Sequence, residues 1–190
     1  MIAPLILLLA ALAGLAYALT TGATDLLLLA APCALASLYL LLRAVLRGQK
    51  ALQQWVIIDG SNVMHWNDAP PSLTPVRAVV SQLQARGLTP AVVFDANAGY
   101  KIDDRYLHHH AMSKLLGLPE DQVMVVPKGT PADPIVLAAA RDHKARVVSN
   151  DRFRDWATAH PEVTTPGHLI RGGYRDGTLW LDLDPPDQTG

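Results

Sequence analysis

The chain has 190 residues, enough for one domain of ordinary size plus an appendage, and half of them are apolar. Its 16 basic and 17 acidic side chains nearly cancel, and a single cysteine excludes an internal disulfide framework and a cysteine-based zinc site. Residues 51 to 190 carry a net charge of −3, so there is no bulk basic footprint and any nucleic-acid contact must come from local basic side chains.

The apolar excess lies at the front. Met1 to Thr24 contains no charged side chain, and after Asp25 a second uncharged run extends from Leu26 to Leu42. Each run approaches the ~20 residues needed to cross a bilayer core as a helix. This predicts a two-helix transmembrane hairpin over residues 1–46, turned at Thr20 to Asp25 and followed by a linker at 47–54. Pro32 is tolerable in such a helix, and Gly14 with Ala10, Ala11 and Ala18 allows close helix approach. Ala16-Tyr17-Ala18 resembles a signal-peptide processing site, but Met1 to Pro4 lacks a basic region and a second apolar run follows, which favours a retained anchor. Arg43, Arg47 and Lys50 after the second run place the remaining domain in the cytoplasm. The expected partner is thus a lipid bilayer, the bacterial inner membrane, and the same anchor is a surface through which a homodimer could form.

Beyond the linker, strand and helix alternate. Trp55 to Ile58 reads as a buried parallel strand, and Thr74-Pro75 as the start of a helix running to Arg86 and stopped by Gly87. Pro90 to Phe94 is a second strand, Asp103 to Leu116 a helix ended by Gly117, and Val123 to Val126 a third strand. Asp133-Pro134 opens a helix to about Lys144, Arg146 to Ser149 is a fourth strand, and Asp151 caps a short helix through Trp156. The segment from Leu169 to Leu181, with Asp176-Gly177 as its turn, reads as a closing β-ribbon. The domain is expected over 55–183, with a disordered tail at 184–190. Such alternation implies an α/β fold with a central, mainly parallel sheet covered on both faces.

Ligands of such sheets collect beyond the carboxyl ends of the strands, and that is where the acids fall. Asp59, Asp95, Asp133 and Asp151 each follow or face a predicted strand end. Asp151 and Asp155, four apart, would share one face of the last short helix. Carboxylates gathered at one edge repel each other, and a divalent cation offsets that repulsion. The pattern therefore points to metal-dependent hydrolysis of a phosphate ester. Asp133 at a helix start, or Asp95 before Asn97 and Gly99, could each be only a cap or a turn residue. Their joint placement argues for a site.

Three blocks, Ile57-Ile58-Asp59-Gly60-Ser61-Asn62-Val63, Thr130-Pro131-Ala132-Asp133 and Val147 to Asp155, resemble the signature segments of PIN-like/NYN ribonucleases, particularly the Regnase-type branch. The resemblance covers residues 55 to 157. It implies a three-layer α/β/α domain, a Mg²⁺ or Mn²⁺ cofactor and endonucleolytic cleavage of single-stranded RNA. It also implies that Asp59, Asp133, Asp151 and Asp155 are the metal-site acids and that Asn62 supports the first. Two departures stand out: the second block has Ala132-Asp133 where the branch often has adjacent acids, and one cysteine cannot form the CCCH zinc finger of its animal members.

Expected substrate contacts are Ser61, Lys101, Arg105, Lys128 and Arg152, with Arg154 beside them. Trp66 and Tyr100 could stack on bases or anchor loops. His108-His109-His110 point about 100° apart on a helix and do not suit one shared ion, and Trp156 reads as core packing. Two other classes remain open: a non-catalytic RNA-binding or protein-docking module on the same fold, and a metal-dependent phosphomonoesterase of the haloacid-dehalogenase sort. The latter wants an acid two residues after its nucleophile, where this chain has Ser61.

Overall fold

The computed structural model describes residues 2–22, 24–51, 53–67 and 70–183, so the expected tail at 184–190 lies outside the described residues. The chain divides into two units between Gln53 and Gln54.

The first unit is a pair of helices, α1 (Ile2–Thr21) and α2 (Thr24–Ala51), packed against each other. Gly22, with φ +70°, takes the left-handed conformation that ends α1. The Thr20 and Thr21 hydroxyls donate to the Tyr17 carbonyl and Ser37 to that of Cys33, so these polar groups are satisfied within their own helices. The hairpin forms where the sequence places it, but two expectations need correction. Among the described residues no helix is long and apolar enough to cross a membrane. The stretch read as a linker also begins as helix, since α2 continues to Ala51 through the good helix formers Arg47, Gln49 and Lys50.

The second unit contains β1 (Trp55–Asp59), α3 (Gly60–Val63), α4 (Leu73–Ala85), β2 (Thr89–Phe94), α5 (Ala98–Asp103) and α6 (His109–Leu116). There follow β3 (Val123–Val125), α7 (Asp133–His143), β4 (Arg146–Val148), β5 (Leu169–Ile170), β6 (Gly172–Arg175) and β7 (Thr178–Leu181). The main sheet has the order β3-β2-β1-β4-β5 with every pair parallel, and β6 pairs antiparallel with β7. Strand alternation sends Val56, Ile58, Val92 and Phe94 into one core with α4 and α6, and Ile57, Val93 and Val147 into another with α7. The result is the expected three-layer α/β/α arrangement with β1 at its centre.

Local differences have local causes. α4 begins at Leu73 behind Ser72, so Pro75 is its third residue rather than its first. The helix expected over 103–116 starts only at His109, as α6: Asp103 is instead the last residue of α5, after which Asp104 turns left-handed at φ 49°. Aspartate tolerates that conformation better than most residues, so nothing apolar marks the break. Leu169–Ile170 joins the main sheet beside β4 instead of the ribbon, while the ribbon turn does fall at Asp176-Gly177, both at positive φ. The short helix expected from Asp151 is a 3₁₀ turn at Arg154–Trp156, because buried Phe153 takes φ 49°. Asp151 and Asp155 therefore do not share a helical face, correcting that expectation.

Candidate active site

β1 delivers Asp59 to the carboxyl edge between β2 and β4, where the residue is only 6% exposed. Gly60 is required directly behind it, since a Cβ there would lie 2.5 Å from the Phe94 ring. The tight turn lets the Asn62 backbone N–H donate to Asp59 Oδ1 at 3.1 Å, so Asp59 caps α3. Ser149 Oγ donates to the other carboxylate oxygen at 2.9 Å. Burial pushes the Asp59 carboxyl up to about 6; the bonds from Ser149 and Asn62 pull the other way, and the charges of Asp133 and Asp151 raise it further.

The charges of Asp133 and Asp151 act on Asp59, and that of Asp155 acts on Asp133. Asp133 is the first residue of α7 and is half-buried; burial and then the Asp151 charge raise its carboxyl, a hydrogen bond with Trp156 opposes them, and Asp155 adds to the rise. Asp151 is exposed after β4, its Oδ1 accepting from Phe153 N at 2.7 Å, and Asp155 is exposed on the following 3₁₀ turn. The four are thus linked by mutual repulsion. Among the described residues, no group of three or more His, Cys, Asp or Glu side chains is gathered as a ready-made metal cage.

Asn62, expected to support Asp59, does so through its backbone N–H, and its side chain with three residues that sequence reasoning did not select, Ser149, Asn150 and Arg171, ties the edge together. Asn62 Oδ1 accepts from Trp66 Nε1 at 2.8 Å and from Asn150 N at 3.0 Å, so its side chain joins the turn after β1 to the loop after β4. Asn150 then clasps Gly172, its Nδ2 donating to the glycine carbonyl at 2.8 Å and its Oδ1 accepting from the glycine N–H. Arg171 Nη1 donates to the carbonyls of Ser149 and Asp151 at 3.2 and 2.9 Å. Ser149 Oγ also accepts from Asp151 N, linking Asp59 to the next acid through one hydroxyl. Only the position of Ser149 and Asn150 between strand four and Asp151 hinted at this.

The expected substrate contacts divide. Lys128 and Arg152 are exposed, Lys128 in the turn before Asp133 and Arg152 between the acids Asp151 and Asp155. Lys101 Nζ lies 3.3 Å from His65 Nε2, and Arg105 pairs with Asp103 at 2.7 Å, so neither bonds an acid of the edge. Ser61 Oγ accepts from Asp95 N at 2.8 Å, while Asp95 Oδ1 receives Asn97 N in a local turn. Trp66 is a partly buried anchor against the first core, whereas Tyr100 is exposed. His109 and His110 both reach Glu120, at 3.2 and 2.8 Å, on the exposed surface of α6. Trp156 packs on the second core and also bonds Asp133.

Residues 52–170 match the family model of the Zc3h12a-like ribonuclease NYN domain. Among solved structures the fold is similar to nuclear proteinaceous RNase P 2 (PRORP2) of A. thaliana, with a TM-score of 0.50 and 20% identity over 70% of this chain and 30% of that one. A second structure of the Arabidopsis thaliana protein-only RNase P 2 gives 0.49 and 21% identity, over 73% of this chain and 31% of that one. The chain thus spans about a third of the length of those proteins, and the likeness is one of fold. No curated protein matches the chain.

Proposed function

Because the chain belongs to the Zc3h12a-like ribonuclease NYN family, we propose that it is a metal-dependent endoribonuclease that hydrolyses phosphodiester bonds of single-stranded RNA. The observation that carries the reading is Asp59, a buried carboxylate at the end of the central strand that faces the charges of Asp133 and Asp151. Such a group is stabilised in its charged form by a cation.

Asp59, Asp133, Asp151 and Asp155 offer only oxygen donors, the chemistry Mg²⁺ or Mn²⁺ takes, and because they are not gathered as a cage the cation would be held by one or two of them and by waters; each Asp59 oxygen makes one hydrogen bond and keeps a lone pair for a ligand. When bound, the cation supplies Lewis-acid stabilisation of phosphate charge and an acidified water. The chain itself does the positioning. Ser149 and Asn62 fix the direction of the Asp59 carboxylate, and Asn150 with Arg171 fixes the loop that carries Asp151. In this reading Lys128 and Arg152 grip phosphates flanking the acids, with Ser61, Lys101 and Arg105 as outer contacts.

The front hairpin belongs to the same proposal. Exposed Ile6, Leu9, Leu12, Leu35, Leu38 and Leu42 on α1 and α2 are an apolar surface without charge, and association with a lipid bilayer would cover it. The basic side chains at Arg43, Arg47 and Lys50 favour a cytoplasmic position for the nuclease unit. Pairing of two protomers through the same surface would appear as a dimer in detergent.

The test is incubation of the purified full chain with labelled single-stranded RNA and DNA in Mg²⁺, Mn²⁺ or chelator, beside Asp59→Asn. Metal-dependent RNA cleavage lost in the variant is expected. Chelator-resistant cleavage overturns the mechanism. A second reading, a binding module on this fold, is supported by Ala132 beside Asp133, and it predicts RNA binding without cleavage in any metal.

A further inference from the structure

The β6–β7 ribbon has two unlike faces. Register pairs Gly173 with Trp180 and Arg175 with Thr178 on one face, and Gly172 with Leu181 and Tyr174 with Leu179 on the other. Leu179 and Leu181 pack on the first core and Gly172 is buried, so that face is spoken for. The opposite face, with Gly173, Arg175, Thr178 and Trp180, therefore points outward. Trp180 is 39% exposed there, and the Arg175 guanidinium lies 5.9 Å from its ring centroid. Gly173, directly across from Trp180, puts no side chain over the indole; a Cβ there would sit 3.5 Å from it.

Alternation adds Arg171 to the same face, at the mouth of the ribbon, where its carbonyl accepts from Asp182 N. Arg171 is also the residue bonded to the carbonyls of Ser149 and Asp151. Its Nη1 protons are used there, leaving the Nε and Nη2 donors of a five-donor guanidinium for a ligand. Arg171 and Arg175 are four residues apart, about 13 Å along an extended strand. Asp182 is the acidic member of this face, and Arg152 stands close to Arg171.

From this we infer that the outer face of the ribbon is a track for a single RNA strand, with Trp180 stacking on a base, Arg175 holding a phosphate, and Arg171 passing the backbone to the acidic edge. An exposed aromatic beside guanidinium groups is the combination that binds single strands without reading sequence. In a unit of net negative charge, a local basic and aromatic strip joined to the acids by hydrogen bonds is where a polyanion gains most. The identity of the strand as RNA rests on the ribonuclease reading; the existence of the track does not.

The test measures binding of a fluorescent oligouridylate to the full chain in an Asp151→Asn background with Mg²⁺, by anisotropy over a salt series. Trp180→Ala should weaken binding about tenfold or more, with Trp180→Phe restoring most of it. Arg175→Gln should reduce the slope of log K against log salt by about 0.7. Thr178→Glu, which touches no core, should weaken binding through repulsion alone. With Asp151 restored, Trp180→Ala should raise KM and leave kcat unchanged.

RNA cleavage that continues with unaltered KM in Trp180→Ala, Arg175→Gln and Thr178→Glu overturns the track and leaves the ribonuclease standing. Ribbon-dependent binding without cleavage supports the track and removes the ribonuclease. If Trp180→Ala instead abolishes binding to phosphatidylserine vesicles and leaves RNA affinity untouched, the face belongs to lipid and the inference fails.

Discussion

Asp59 sits at the end of the central strand with both carboxylate oxygens hydrogen-bonded, whereas Asp151 and Asp155 stand exposed on an irregular segment turned by the left-handed Phe153. Burial fixes the first group's geometry but makes its charge unfavourable, which is why its carboxyl is pushed up to about 6. Exposure does the reverse: the charge is well solvated, and geometry comes from backbone turns and from whatever binds. One half of the edge is rigid by packing, and the other is completed by hydrogen bonds and ligand.

The sharpest way to break this contrast is Asp59→Asn. Cleavage should fall at least ~100-fold, beyond the loss typical of outer supporting groups. Yet the metal-free protein should become more stable. In the fold Asp59 binds its proton more tightly than the ~3.9 of an unfolded aspartate, so between about pH 4 and 6 the native state holds more protons than the unfolded one. The slope of unfolding free energy with pH is then negative, and the wild-type Tm in chelator should drop across that window, by the equivalent of ~3 kcal/mol at most. The variant should show a smaller drop, the remainder coming from Asp133, whose carboxyl burial also raises, and Mg²⁺ should reverse the drop more fully in the wild type; a wild-type Tm flat from pH 4 to 6 would contradict the account.

Gly60→Ala tests the packed half by steric means. Its methyl would meet Phe94, so a loss of about 1–3 kcal/mol in denaturant unfolding is expected, with activity falling along with folding. Asn150→Ala tests the hydrogen-bonded half: the clasp on Gly172 disappears, and the metal concentration needed for half-maximal cleavage should rise about 10-fold with little change in Tm. The mildest change is Asp155→Asn, which should lower metal affinity while altering stability by less than about 0.5 kcal/mol, as for most exposed sites. An Asp155 variant that unfolds early would erase the distinction between the two halves.

Much of this was legible in the chain because the relevant signals are local. The runs around Ile57, Val93 and Val147 mark strands buried on both faces, Gly87 and Gly117 mark helix ends, and Asp176-Gly177 marks the ribbon turn. The acids were legible because they follow those runs. What was hidden depends on partners far along the polymer: Ser149 meets Asp59 across 90 positions, and Arg171 finds the Asp151 carbonyl across 20. The break at Asp104 and the two-residue strand β5 were hidden for another reason, since neither is long enough to carry a period.

The place of β1 at the middle of the sheet has a chronological consequence. It is the first strand of its unit to leave the ribosome, yet its β4 neighbour is made only at Arg146–Val148, and the clasp on Gly172 later still. Pairings of such long range form late. A nascent or truncated chain ending before Ser149 therefore presents Asp59 without its hydroxyl partner and without the neighbouring charge of Asp151, so the acidic edge is complete only when synthesis of the unit is nearly finished.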